Sequence, residues 1–459
     1  MNARQSRTKL LLHAGRLLLE FNESTEAIHR ALTATAKVLT DETCHVVVSY
    51  NGVAVSLGDE KPALGPVREL RYNAAIQSRV HEILARVRRG VLDVPEAVGG
   101  LADVEAHTPR HSRWTSALLL GAGASSLALL LGADLAASAV AGLATALGLL
   151  ARQELGRAHA VLLALPLAAA FIGAAFGGLA IRLSWTRSPD LVLIVPALML
   201  VPGPHLINAL FDLIDNQLPM SLSRMGLAAG ILFASALGVV LGIELTLPAP
   251  LVAEPAAAPD RLNLLSDMVL AGVATCGFAV FYNTPWQQLW MAVVGGMAGH
   301  GVRFLVLKAG CTLEAATFLG GLTVGAISAG MVRARNAPVA VIAFAGAVTM
   351  IPGLSLYRAL AGALQLARNP GTADPGTVAR TFENGLHGCL VVSALTLGLV
   401  VGARVVLALA RDRDAPIGSH RGVAADGATR LVVAESSDQI DSADGVTENV
   451  LHDSGIGSD

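Results

Sequence analysis

Over the first hundred positions, apolar residues recur at the two spacings of soluble secondary structure. Leu10, Ala14, Leu17, Leu18 and Phe21 share one helical face, and Ile28, Leu32 and Leu39 share the face of a second helix that starts after Ser24. Ser24 reads as the N-cap of that helix. "CHVVVSYNGVAVSLG" follows, two β-branched runs joined by Asn51-Gly52, a dipeptide suited to the positive φ angles of a tight hairpin. "VRELRY" at 67–72 offers a third strand. Ile76, Val80, Ile83 and Val87 mark another helix, and Asp93, Pro95 and Glu96 open a last one with an N-cap, a first-turn proline and a capping-box acid. Residues 1–110 therefore read as a small soluble α+β domain.

From Ser116 this rhythm gives way to stretches of about 20 apolar residues, the length that crosses a hydrocarbon core of about 30 Å at 1.5 Å per residue. The pattern predicts spans near 115–132, 134–151, 158–182, 189–210 and 223–247, then near 262–282, 287–307, 311–332, 337–361 and 383–410. "PAPLVAEPAAAPD" at 248–260, Pro-rich and acidic, separates the two sets. The expected organisation is a first five-helix module at 111–250, a linker at 251–261, a second module at 262–410 and an acidic tail at 411–459 that reads as disordered. The fold class is an all-α polytopic membrane protein of about ten transmembrane helices behind a small α+β domain. The opening "MNARQSRTKLLLHAGRLLLEFNE" is interrupted by charges and His13 and lacks a small-residue cleavage site, so it does not read as a signal peptide.

Composition supports a lipid-embedded chain: 53% of residues are hydrophobic and 15% charged, where a soluble protein carries about 25% charged residues. The 47 glycines suit helices packed closely through small side chains. A formal net charge of −2 gives no basic face for nucleic acid. Cys44, Cys276, Cys311 and Cys389 form neither a metal pair nor a disulfide framework. His45, His81, His107 and His111 lack metal-ligand spacing, so no metal, cofactor or catalytic constellation is implied.

The two halves share a device. "LVPGPHLINAL" at 200–210 aligns with "MIPGLSLYRAL" at 350–360, each late in the fourth span of its set, matching Pro202 with Pro352, Gly203 with Gly353, Leu206 with Leu356, Ala209 with Ala359 and Leu210 with Leu360. Five spans is an odd number, so the second half starts from the other side of the membrane and the repeats are inverted. Inverted repeats whose matching helices are interrupted by Pro or Gly are a pattern of secondary transporters, with the substrate near the repeat interface. His205, Asn208, Asp212 and Asp215 share a helical face beyond the first break and are candidate pathway residues, Asn208 and Asp212 foremost. Arg358 takes the place of Asn208 in the other half and can pair with a carboxylate. Glu383 and His387, one turn apart at the start of the last span, are a candidate proton relay. A folded N-terminal domain without a signal remains cytoplasmic, and an even number of spans returns the C-terminus there.

"LLLEFNESTEAIHRAL", the hairpin, "RHSRW" and above all "LVPGPHLINALFDLIDNQLPMSLSRM" resemble the threonine/serine exporter family of bacterial inner-membrane proteins, and the likeness runs from about residue 8 to 410. The resemblance implies secondary-active export of threonine and serine, driven by the proton-motive force. The expected partners are the small polar substrate and the lipid bilayer, with a homo-oligomer left open by the sequence. Some relatives carry the modules as separate chains, one such pair associated with succinate, so dicarboxylate export is the alternative. A hydrolase role has been suggested for the N-terminal domain in this family, and a membrane scaffold is a further reading. Relatives often have other residues where this chain has Pro204-His205.

Overall fold

The computed structural model describes residues 2–107, 110–247, 262–335, 339–368 and 374–414. The expected linker at 251–261 and the tail from residue 415 onward lie outside the described residues.

The N-terminal region runs α1 (Ala3–Glu20), α2 (Thr25–Leu39), β1 (Cys44–Ser49), β2 (Gly52–Leu57), β3 (Ala63–Pro66), α3 (Ala74–Arg88) and α4 (Val94–His107). Its strands form an antiparallel sheet in the order β1-β2-β3. Leu10, Leu17, Leu18, Ile28, Val55 and Leu84 are buried together in its core, to which Met220 from the membrane part also contributes. Ser24 caps α2 by accepting from the Ala27 N–H. Asp93 and Glu96 exchange reciprocal bonds at the start of α4, so each end of that helical entry has its donor satisfied.

Two local expectations are corrected. The third strand is Ala63–Pro66 rather than 67–72, because β2 has no residue beyond Gly52 to pair with it. Val67 donates to the Asn51 carbonyl as the ladder ends, and Arg71 donates to Glu20 instead. In the hairpin, Ser49 pairs with Gly52, so the loop is Tyr50-Asn51, and neither Asn51 nor Gly52 has a positive φ. Gly52 is required for close approach: a Cβ there would lie 2.7 Å from the Gly65 carbonyl oxygen.

The first set of membrane helices is α5 (Arg113–Leu130), α6 (Leu135–Arg157), α7 (Ala164–Arg182), the pair α8 (Pro189–Leu198) and α9 (Gly203–Ile214), and α10 (Leu218–Thr246). The second is α11 (Leu264–Phe281), α12 (Trp286–Lys308), α13 (Leu313–Arg335), the pair α14 (Val339–Ala347) and α15 (Gly353–Arg368), linked by a 3-10 turn at Val348–Met350, and α16 (Pro375–Asp414). Among the described residues, seven helices are long and apolar enough to cross a membrane, and up to nine spans result if each bent pair counts as one. The expected span at 115–132 corresponds to α5, whose first turn, Arg113 to Ser116, is polar; it is not among the nine. The last span begins earlier than expected, at Pro375, which puts Glu383 and His387 inside a longer helix.

Small residues set the helix spacing in both sets. A Cβ at Gly238 or Gly242 of α10 would lie 2.2 or 2.7 Å from the carbonyl oxygens of Leu167 or Phe171 on α7. In the second set, a Cβ at Gly398 or Gly402 of α16 would lie 2.2 or 2.1 Å from the carbonyl oxygens of Phe318 or Leu322 on α13. Four-residue glycine spacing lets the two backbones touch, which is the packing available where lipid removes the hydrophobic drive between helices. The outward faces of these helices keep Phe233, Leu237, Leu241, Leu390 and Leu397 exposed.

The N-terminal region sits on one end of this bundle. Ala74 donates to the Tyr282 carbonyl, Asn283 donates to the Asn73 side chain, and the Ser78 hydroxyl meets Gln288. At the opposite end, Asp134 between α5 and α6 accepts from Thr186 and Arg187 before α8.

Candidate functional site

Each proline in the repeated motif forces the same turn. Pro202 has φ −77° and ψ 59°, and the Gly203 N–H donates back to the Val201 carbonyl at 2.7 Å, an inverse γ-turn. Gly353 donates to Ile351 at 2.7 Å across Pro352 in the same way. Proline supplies the fixed φ and removes the N–H that a continuous helix would use. The two pairs bend by 63° at 198–203 and 56° at 350–353. The breaks also cross: a Cβ on Gly203 would lie 2.7 Å from Ile351, and one on Gly353 would lie 3.3 Å from Val201. Each glycine thus packs on the residue just before the other proline.

A cavity of about 630 Å³ lies beside the second break, within the range of small-molecule sites. It is lined by Thr349, Pro352, Gly353 and Ser355, and reaches Leu131, Leu307 and Leu313 at the end of the bundle opposite the N-terminal region. Asp267, His300 and Arg303 line its wall, with Lys308 also bordering the cavity. Asp267 lies in the first turn of α11, whose N-cap Asn263 accepts from the Ser266 N–H. His300 and Arg303 stand one turn apart on α12, so both face the same way. His300 Nδ1 is 2.6 Å from Asp267 Oδ2, and Arg303 Nη1 is 3.4 Å from His300 Nε2. Arg303 Nε donates to the Thr317 hydroxyl at 3.3 Å, which fixes the plane of the guanidinium. Asp267 and His300 are each 6% exposed. A guanidinium can take a carboxylate, the Asp267 carboxylate can take an ammonium group, and the imidazole between them can exchange a proton.

The residues chosen from spacing lie elsewhere. Asn208 and Asp212 do share one face of α9, and both are fully buried, but that face meets the N-terminal region. Asn208 Nδ2 donates to the Asn22 carbonyl, and Asp212 Oδ1 accepts from the Thr25 N–H at 3.0 Å. Arg224 of α10, also fully buried, pairs with Asp212 Oδ2 at 3.3 Å and donates to the Glu23 carbonyl. Asp215 pairs with Arg404 of α16 at 2.9 Å. Arg358 is 3.4 Å from Asp190 at the opposite end. His387 pairs with Glu314 of α13 at 2.9 Å, while Glu383 is exposed. His205 is buried beside the first break.

Asp267, His300 and Arg303 were not among the spacing-based candidates. The available signal was a lone acid early in an apolar span and a His-x-x-Arg pair late in the next, in "GHGVRF".

Residues 9–246 match a family model described as a putative threonine/serine exporter, and residues 267–405 match a second described as Threonine/Serine exporter, ThrE. No solved structure matches the chain.

Proposed function

Because this chain belongs to the threonine/serine exporter family, a family of membrane transporters, we propose that it exports threonine or serine from the crossed helix breaks, exposing one site alternately to the two ends of the bundle. Ten spans arranged as two inverted five-helix repeats provide the moving parts, one repeat rocking against the other. Arg303 takes the substrate carboxylate through its forked N–H groups, and Asp267 takes the ammonium group. The hydroxyls of Thr349 and Ser355 are within the same cavity and suit a hydroxyl side chain. His300, between Asp267 and Arg303, accepts and releases the proton that couples export to the proton-motive force. With the N-terminal region on the cytoplasmic side of the inner membrane, the cavity at Pro352 faces outward.

The observation that carries this reading is the Asp267-His300-Arg303 row on the wall of a cavity at the second break. Ionisable groups inside a membrane domain cost several kcal/mol and are retained for pathways and relays. Reconstituted full-length protein should show counterflow of labelled threonine or serine that changes with an imposed pH gradient. Arg303→Gln should weaken apparent substrate affinity about thirtyfold or more, the loss of one partner of a buried charge pair. Succinate flux with no movement of either amino acid would overturn the substrate assignment.

A further inference from the structure

The open cavity at the second break has a counterpart at the first. The alignment that matches Pro352 with Pro202 also matches Ser355 with His205. Helices α6 and α12 are both 23 residues long, and Arg152 and Arg303 each stand five residues before the last. Helices α5 and α11 are both 18 residues long, and Leu131 and Tyr282 are their equivalent C-caps.

These counterparts converge in space. Arg152 lies over the Phe281 ring, 5.4 Å from its centroid, and that ring packs against Tyr282, 5.3 Å between centroids. The Tyr282 hydroxyl oxygen is 3.7 Å from where a Cβ on Gly203 would stand. His205 is only 9% exposed, and its Nδ1 has no hydrogen-bond partner. Tyr72 of the N-terminal region fits over this group, its ring 4.9 Å from Tyr282 and 6.1 Å from Phe344, and its buried hydroxyl is also without a partner. Buried polar groups are normally satisfied, so an unpaired imidazole and phenol beside a guanidinium leave hydrogen-bonding capacity for another molecule.

We propose that Arg152 is the anion-binding group of a second, closed half-site on the N-terminal side, lined by His205, which binds the carboxylate of the same small zwitterionic substrate once Tyr72 withdraws. This rests on the exporter reading and deepens it: Arg303 holds the carboxylate in the state described, and Arg152 holds it in the opposite one. Tyr72 fills the space that the substrate occupies at the other break.

The test uses the full chain in proteoliposomes, with Cys44, Cys276, Cys311 and Cys389 replaced by Ser, and single His205→Cys or Ser355→Cys substitutions. A membrane-impermeant maleimide is applied to one face at a time. His205→Cys should be labelled slowly, from the face carrying the N-terminal region, and adding Tyr72→Ala should raise the rate about tenfold by shifting the closed population. Saturating threonine should slow labelling at both positions. Arg152→Gln should abolish threonine protection at His205→Cys and leave it at Ser355→Cys, while Arg152→Lys, which keeps the charge, should retain part of it. Protection at Ser355→Cys with none at His205→Cys, or labelling of His205→Cys only from the opposite face, overturns the second half-site and leaves the exporter reading standing. Protection at neither position, together with no threonine flux, overturns the exporter reading and the half-site with it.

Discussion

At Pro352 the broken helix borders a cavity with Asp267, His300 and Arg303 on its wall, whereas at Pro202 the same γ-turn leads into a helix sealed beneath Asn22, Glu23 and Thr25. The backbone device is common to both: equal turns, similar bends, and glycines that each pack against the other break. The difference lies in the cover. One end of the bundle carries the N-terminal region and is closed by its contacts; at the other, among the described residues, the cavity is bordered by helix ends and interhelical turns. The same broken-helix device is thus surrounded differently at its two positions, and the asymmetry comes from a segment that belongs to neither set of helices.

The largest effect should come from breaking that cover. Asp212→Ala leaves the fully buried Arg224 without its carboxylate and the Thr25 N–H without its acceptor. Loss of one partner of a buried ion pair costs about 3–5 kcal/mol, visible as a lower unfolding temperature in detergent micelles. Arg404→Ala removes the partner of Asp215, three residues further along the same chain, but that arginine is 65% exposed. Its loss should cost at most about 1 kcal/mol. Equal effects of the two substitutions would show that the cover contributes nothing beyond an ordinary surface pair.

A smaller effect tests the shared scaffold. A Cβ at Gly238 and one at Gly398 would each lie 2.2 Å from a carbonyl oxygen, of Leu167 and Phe318 respectively. Backbone cannot swing aside as a side-chain tip can, so the helices must separate. Gly238→Ala and Gly398→Ala should each cost about 1–3 kcal/mol as overpacking, and by similar amounts. Clearly unequal losses in thermal unfolding would mean that the two repeats differ in their packing as well as in what covers them.

Much of the architecture was legible because it is local. Helical periodicity located α1 to α4, apolar length located the membrane helices, and the matching Pro-Gly pairs located both breaks within a residue. What spacing could not reveal was the partner of a face. Asn208 and Asp212 do lie on one side of α9, but whether that side meets a cavity or Thr25 depends on residues nearly two hundred positions away. The reverse holds for the charged wall of the cavity. Asp267 stands on one helix and His300 and Arg303 on the next, so no short pattern joins them, and each alone reads as a charge near the end of a span. The hairpin shows a third limit: Asn51-Gly52 is a sound turn signal, yet the glycine serves the approach of a third strand that the local pattern does not encode.

The smallest expected effect lies at the end opposite the N-terminal region, where Asp134 ties two segments together as the N-terminal region does at the other. Burial would raise its pKa, but the Ala137 N–H, the Thr186 hydroxyl, the Arg187 N–H and the Ser188 side chain outweigh that and hold it at about 2. Those bonds cap α6 and tie its start to the segment before α8. The equivalent helix α12 has Pro285 in its N-cap position and no side-chain cap, and its turn is held instead by Asn283 bonds to Asn73 and His111. Because the folded value is below the unfolded value of about 3.9, the stabilisation is complete above that pH and is lost as pH falls toward 2. With the carboxylate partly open to water, its size should not exceed about 1 kcal/mol. Thermal unfolding between about pH 5 and pH 2 should therefore fall less steeply for Asp134→Asn than for the parent chain. Parallel curves would mean that the segment before α8 is held by helix packing alone, and that Asp134 is no counterpart of the polar ties that seat the N-terminal region.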